Sequence, residues 1–201
     1  MSSYLLIIFL AVQIISDINI HIIPHTHLDP GWGMTPEEYY KHNNVSNIFD
    51  VILEELSNTT VTQKTFVINE IYYFKIWYEN LSEEKKSKFK DLLKEKRIEF
   101  VGGGYVTNDE ATPLYYDIIA QMRIGHQYLL EEFGIIPKTA WYIDSFGHSI
   151  GNAYILSELN FENLVIGRIH DDFLELMKKE NKSEFYWELF GNPKKKYLHM
   201  F

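Results

Sequence analysis

Short apolar runs rich in β-branched and aromatic residues recur along this chain, separated by longer amphipathic stretches, and that alternation restricts the fold more than any other feature. It is the sequence form of repeated βα units, so an α/β fold built on a mainly parallel sheet or barrel is expected. Strands are predicted over residues 18–23, 65–69, 98–101, 139–143, 164–167 and 185–189, each too short for a helix of ordinary length. Helices fill the intervals. Ser82 can cap one that runs through Lys96, with Glu83 and Glu84 in its first turn, where negative charge suits the helix dipole. Thr112-Pro113, an apolar-periodic stretch to Phe133 and then Gly134 supply an N-cap, a proline at the first helical position and a glycine stop. No internal repeat, low-complexity segment or Pro/Ser-rich linker divides the chain. The last of these strands lies close to Phe201 with no polar tail or closing helix behind it, so the sheet is expected to be unfinished, as in a truncated domain.

Composition narrows the partners. With 46% hydrophobic and 15% aromatic residues among 201, the chain has ample material for a packed core. A net charge of −9 leaves no excess of Lys or Arg to neutralise phosphates, which argues against a nucleic-acid partner and favours uncharged or sugar-like substrates. The chain has no cysteine, so disulfides and thiolate metal sites are excluded and any metal must be held by His and carboxylates. Residues 4–15 form an apolar run too short to span a bilayer, and residues 1–16 read as a signal peptide, with a buried strand as the alternative because Met1-Ser2-Ser3 supplies no Lys or Arg. Four glycosylation sequons begin at Asn44, Asn58, Asn80 and Asn181, all in polar stretches. Leader and sequons together point to the secretory pathway: Golgi, lysosome or secretion. No interface is recognisable, so the oligomeric state is left open.

Two segments carry the chemistry. His25-Thr26-His27-Leu28-Asp29-Pro30-Gly31-Trp32 follows the first predicted strand at its carboxyl end, where α/β folds place their active sites. In extended chain, residues two apart point the same way, so His25, His27 and Asp29 can project from one face before Pro30-Gly31 turns the chain. Imidazoles and carboxylates without thiolate suit Zn²⁺, and Mn²⁺ or Co²⁺ can occupy the same kind of site. The competing reading is a polar turn with incidental histidines. In Trp141-Tyr142-Ile143-Asp144-Ser145-Phe146-Gly147-His148-Ser149, an apolar strand ends in a carboxylate that can ligate the same metal, act as a nucleophile, or cap a helix.

These two motifs resemble those of glycoside hydrolase family 38, the class II α-mannosidases, with their HxHxDPGW-like strand end and WxIDPFGHS segment. Between them, the run from Phe100 through Gly102-Gly103-Gly104-Tyr105 to Ala111 resembles the family's GGW-containing segment, and Val165-Ile166-Gly167-Arg168-Ile169-His170 resembles its arginine-bearing strand. The resemblance extends from about residue 18 to Phe201. Residues 17–201 are accordingly identified as the N-terminal part of a family 38 catalytic domain, a parallel βα-repeat that is seven-stranded and barrel-like. By that resemblance His27, Asp29 and Asp144 are ligands of one Zn²⁺, Asp144 is also the catalytic nucleophile, Trp32 and Phe146 contact the sugar, and Arg168 lies near the nucleophile. His25 and His148 take hydrogen-bonding or structural roles, and the acidic pair Asp109-Glu110 is read as a cap or solvated loop. Ser145 stands where the family usually has proline, and Tyr105 where it often has tryptophan.

The resemblance implies a retaining, zinc-dependent α-mannosidase acting on terminal α-mannosyl residues of glycans, with a mannose-containing glycan as substrate. It also implies a fourth zinc ligand, a histidine, and an acid/base carboxylate beyond the chain end. Two alternatives come from other classes: a metal-dependent polysaccharide deacetylase, in which the metal activates water on an acetyl group, and a catalytically incomplete fragment.

Overall fold

The alternation predicted from the sequence is present, with shorter strands than expected. The structure is a computed structural model, and it describes residues 21–58, 64–182, 184–189 and 198–200. The elements follow in the order α1 (Pro36–His42), α2 (Val45–Asn58), β1 (Phe66–Ile68), α3 (Ile71–Glu79), α4 (Glu83–Lys94), β2 (Ile98–Phe100), α5 (Tyr115–Phe133), β3 (Thr139–Tyr142), α6 (Ile150–Glu158), β4 (Asn163–Ile166), α7 (Asp171–Glu180), β5 (Phe185–Trp187) and β6 (Leu198–Met200).

β1 and β2 pair in parallel, Val67 opposite Glu99, and the segment around His25 adds to the outer side of β1 through Thr26 N–H to the Val67 carbonyl (3.0 Å) and Val67 N–H to the Pro24 carbonyl (2.9 Å). β3, β4, β6 and β5 form a second sheet in that order, parallel except for the last pair, which is antiparallel. A seven-stranded barrel is not found among the described residues. After β2, Gly102 and Gly103 take positive φ of 55° and 72° and end the extended strand. There the end of β2 meets the start of β3 through a backbone hydrogen bond from Gly102 N–H to the Thr139 carbonyl (2.8 Å). α5 presses on this turn at Gly125, where a Cβ would meet the Gly103 carbonyl oxygen and the Gly104 backbone.

Two expectations need correction. Of the strand predicted over 18–23, residues 18–20 and the proposed leader lie outside the described residues, while Ile22 and Ile23 are exposed and, among the described residues, not in a strand, the hydrogen bonding to β1 starting at Pro24. The long helix starts at Tyr115, not at Thr112-Pro113. Asp109 Oδ2 accepts from Thr112 N–H (3.0 Å) and from the Thr112 hydroxyl (2.7 Å), closing a separate turn that leaves Pro113 outside. At its other end Gly134 takes the left-handed conformation (φ 69°), as the glycine stop requires. Ser82 caps α4, its side chain accepting from Lys85 N–H.

The larger core is aromatic. Phe74 of α3 is fully buried and its ring contacts those of Phe49, Trp77, Tyr78, Phe89, Phe100 and Phe133, so one side chain joins α2, α3, α4, β2 and α5. A second cluster, including Ala140, Tyr142, Leu156, Phe161 and Leu164, packs α6 against β3 and β4. Both cores leave the carboxyl ends of the parallel strands on one rim.

Candidate active site

Each strand end delivers one part of the site to that rim. The His25 segment contributes His27 and Asp29, β1 is followed by Asn69 and Glu70, the loop after β2 brings Thr107, Asn108 and Asp109, β3 is followed by Asp144, and β4 by Arg168. A cavity of about 240 Å³ opens there, lined by His27, Asp29, Trp32, Thr107, Asn108, Asp109, Asp144, Ser145 and Phe146.

His27, Asp29 and Asp144 each present a ligand atom, all within 4.8 Å of one another. His27 Nε2 lies 3.2 Å from Asp144 Oδ2 and 3.5 Å from Asp29 Oδ2, so it is Nε2 that faces the carboxylates. A hydrogen bond to Asp29, opposed by burial and supported by the charges of Asp29, Glu70 and Asp144, raises the His27 imidazole to about 9. Arg168 Nε donates to Asp144 Oδ1 (2.6 Å), and Nη2 of the same guanidinium contacts that oxygen. This guanidinium, with the His27 charge beside it, holds the Asp144 carboxyl below the usual carboxylate range and so keeps it ionised near neutrality. The Arg168 guanidinium also sits 5.0 Å from the Phe146 ring centre. Phe146 and Trp32 are 73% and 72% exposed, leaving two aromatic faces open at the cavity mouth.

His25 does not join the cluster. The chain leaves extended pairing after Thr26, so the two-residue alternation fails; the His25 ring instead lies 5.2 Å from that of Trp141, and its Nδ1 contacts the Thr26 carbonyl. Glu110 is corrected too. It is buried, not solvated: Oε1 meets His148 Nδ1 (2.9 Å) and Oε2 accepts from Ser149 N–H (2.6 Å). His148 Nε2 reaches the Arg168 carbonyl (2.8 Å), so this imidazole ties the loop after β3 to the end of β4. Ser149 completes the loop by capping α6 at Gly151 and Asn152.

Glu110 and burial act in opposite senses on His148, and the carboxylate prevails, raising its pKa. A raised folded-state pKa means stabilisation fully present below the unfolded value near 6.5 and lost as pH rises through the folded value. The destabilisation caused by His148→Asn should therefore be largest near pH 6 and shrink toward pH 9, as read from melting temperatures across that range. A pH-independent difference would refute the charged clamp.

Sequence reasoning missed Glu70. It is 3% exposed and accepts from the Thr26 hydroxyl (2.8 Å), Asn69 Nδ2 (3.1 Å) and the Thr107 hydroxyl (3.1 Å). Its position before an apolar helix looks like that of a capping residue, and nothing local reveals the long-range donors. The signal at Thr35-Pro36-Glu37-Glu38, by contrast, is a complete capping box that locates α1.

The chain is similar to proteins of one family. The Glycosyl hydrolases family 38 N-terminal domain matches residues 17–199. A lysosomal α-mannosidase of Dictyostelium discoideum is 39% identical over 176 residues, covering 85% of this chain and 17% of that protein. An Arabidopsis thaliana protein named α-mannosidase 2 is 38% identical over 170 residues, covering 85% and 14%. Among solved structures, an α-mannosidase from Enterococcus faecalis superposes with a TM-score of 0.66 at 19% identity, over 89% of this chain and 19% of that one, a likeness of fold. A 4-α-glucanotransferase from Thermococcus litoralis shares the fold at a TM-score of 0.56 and 19% identity, over 90% of this chain and 26% of that one. The chain thus spans 14–17% of the length of these two relatives. With the family match running through nearly every described element and through both motif segments, the chain belongs to glycosyl hydrolase family 38, within its N-terminal domain.

Proposed function

We propose that this chain carries the nucleophile side of a retaining, zinc-dependent α-mannosidase site. In this reading His27, Asp29 and Asp144 hold one Zn²⁺, Asp144 is the nucleophile, and Trp32, Phe146 and Arg168 contact a terminal α-mannosyl residue of a glycan. The observation that supports it most is the convergence of one imidazole and two carboxylates within 4.8 Å, on the rim of a cavity with two exposed aromatic faces.

The residues fit the ion. Imidazole nitrogen and carboxylate oxygen are both donor types that bind Zn²⁺, and three protein ligands leave a position open. The buried His27 Nδ1 has no hydrogen-bond partner, while Nε2 faces the carboxylates, so the ring is turned as a ligand would be. Nε2 must be unprotonated to ligate, and the surrounding carboxylates that raise its basicity also favour a cation in the proton's place. Bound there, Zn²⁺ would act as a Lewis acid toward sugar hydroxyls.

The rest of the chemistry falls to the chain's own side chains. Asp144, kept ionised by Arg168, attacks the anomeric carbon as the bond to the departing oxygen breaks. The resulting glycosyl ester of Asp144 is then hydrolysed by water attacking the anomeric carbon from the face that the leaving oxygen vacated, which breaks the ester, restores the carboxylate and, after two inversions, retains the anomeric configuration. A second carboxyl must protonate the leaving oxygen, and no described residue is assigned that proton. Arg168 fixes the plane of the Asp144 carboxylate through Oδ1, and Trp32 and Phe146 offer apolar faces to the C–H faces of a pyranose ring.

An aryl α-mannoside with a highly acidic phenol as leaving group needs little protonation, so it tests the nucleophile without the general acid. Purified chain supplied with Zn²⁺ should release the phenol from 2,4-dinitrophenyl α-mannoside and lose that activity on chelation. Release of acetate from an N-acetylated sugar, with none of the phenol, would identify a deacetylase. No release of either product by folded, metal-loaded protein would overturn the catalytic reading. A secretory location fits the same reading: the sequon residues Asn44, Asn58, Asn80 and Asn181 are all exposed. No helix among the described residues is long and apolar enough to cross a membrane.

A further inference from the structure

Glu70 occupies a place that local structure does not explain. It stands at the N-cap position of α3, where a carboxylate ordinarily accepts from the helix's first amides, yet it makes no such bond. It turns inward and is held by three neutral donors from three parts of the chain: the Thr26 hydroxyl from the segment beside β1, the adjacent Asn69 amide, and the Thr107 hydroxyl from the loop after β2. The same threonines hold Asn69, Thr26 Oγ1 accepting from its backbone N–H (2.9 Å) and Thr107 Oγ1 from its Nδ2 (2.9 Å), so the group forms one closed network. Burying a carboxylate is costly without a cationic partner. The imidazole beside Glu70 is that of His27, whose Nδ1 lies 3.8 Å from Oε1. That nitrogen is buried and makes no hydrogen bond, while the opposite nitrogen faces Asp29 and Asp144.

We infer that Glu70 is the positioning residue for His27: the buried carboxylate, clamped by Thr26, Asn69 and Thr107, orients the ring so that Nδ1 points inward and Nε2 is presented to the ligand cluster. The inference rests on the metal-site reading above. It adds a residue that touches neither ion nor sugar and acts only through the imidazole. Outer partners of this kind set the orientation and tautomer of a ligating histidine, and losing one weakens metal binding by about 10–100-fold. The three donors divide their work accordingly. Two hold Oε1, the oxygen that faces His27, and one holds Oε2, so rotation of the carboxylate would break the network.

The test is Zn²⁺ affinity of the purified chain, measured by competition with a chromogenic chelator, together with ¹⁵N–¹H correlation of the His27 ring and circular dichroism to verify folding. Glu70→Gln should weaken Zn²⁺ binding by about 10–100-fold and replace the single His27 tautomer by a mixture. Should Glu70→Gln fail to fold, Thr107→Val carries the test, because it removes one donor to Oε1 while keeping the side chain's shape; it should weaken binding less and shift the His27 ring signals in the same direction. Wild-type affinity and unchanged ring signals in whichever variant folds would overturn the role of Glu70 alone. Failure of wild-type chain to bind Zn²⁺ at all would overturn the metal site, and with it the inference.

Discussion

Asp144→Asn is expected to lower turnover of an α-mannoside by at least about four orders of magnitude, the scale seen when a catalytic nucleophile is removed, while the variant unfolds within about 0.5 kcal/mol of wild type. The amide is nearly isosteric, and Asp144 is partly exposed on the rim and outside either core, so the fold has little reason to respond. The chemistry has every reason to. The amide oxygen can still accept from Arg168, yet it carries no charge for attack, and a neutral donor beside His27 no longer favours a cation. Turnover and melting temperature measured on the same preparation separate the two effects. Near-normal turnover would sink Asp144 as nucleophile, and a large drop in melting temperature would mean that the carboxylate is structural.

Phe74→Ala should have the largest effect on stability, about 3–5 kcal/mol. Phe74 is fully buried, and its ring is the common contact of six other aromatic side chains drawn from five elements. Truncation leaves a void that rigid rings cannot collapse to fill. Leu176 of α7 is the control: it is 47% exposed, and Leu176→Ala should change stability by no more than about 0.5 kcal/mol. Denaturant titration of both variants tests the contrast, and equal losses would place the main core elsewhere.

How much of this was legible beforehand depended on whether the signal was local. Strands β1 to β5 lie where β-branched and aromatic runs predicted them, with ends displaced by at most two residues, because such runs report burial within a few residues of chain. Gly134 and Ser82 were readable for the same reason: a left-handed stop and an N-cap are decided within one turn. Thr112 misled because two local options compete for it, and the Asp109 turn wins. The seven-stranded, barrel-like arrangement that the resemblance implied is not seen among the described residues, where only short strands are found, and the positive φ of Gly102 and Gly103 that ends β2 is no part of a strand pattern. At the site, His27, Asp29 and Asp144 were named from motif residues and the structure brings them together. Glu70 and Glu110 were hidden because their partners lie 44, 37, 38 and 39 residues away, and burial that arises from such contacts leaves no mark on neighbouring sequence.

The same separation has a kinetic consequence. His27 and Asp144 are 117 residues apart in sequence, and their meeting requires the His25 segment to pair with β1, β1 with β2, and the end of β2 to reach β3 through the Gly102–Thr139 hydrogen bond. Non-local pairing of this kind comes late in folding, since loop closure costs entropy before contacts repay it. Chain in which these elements have not yet come together is expected to lack the ligand cluster, so an ion that fills the proposed site should bind finished molecules in preference to unfinished ones. On the proposed zinc-site reading, Zn²⁺ should stabilise the native state selectively and raise the melting temperature with concentration. The rate at which metal-binding capacity appears during refolding would then time the last pairing event.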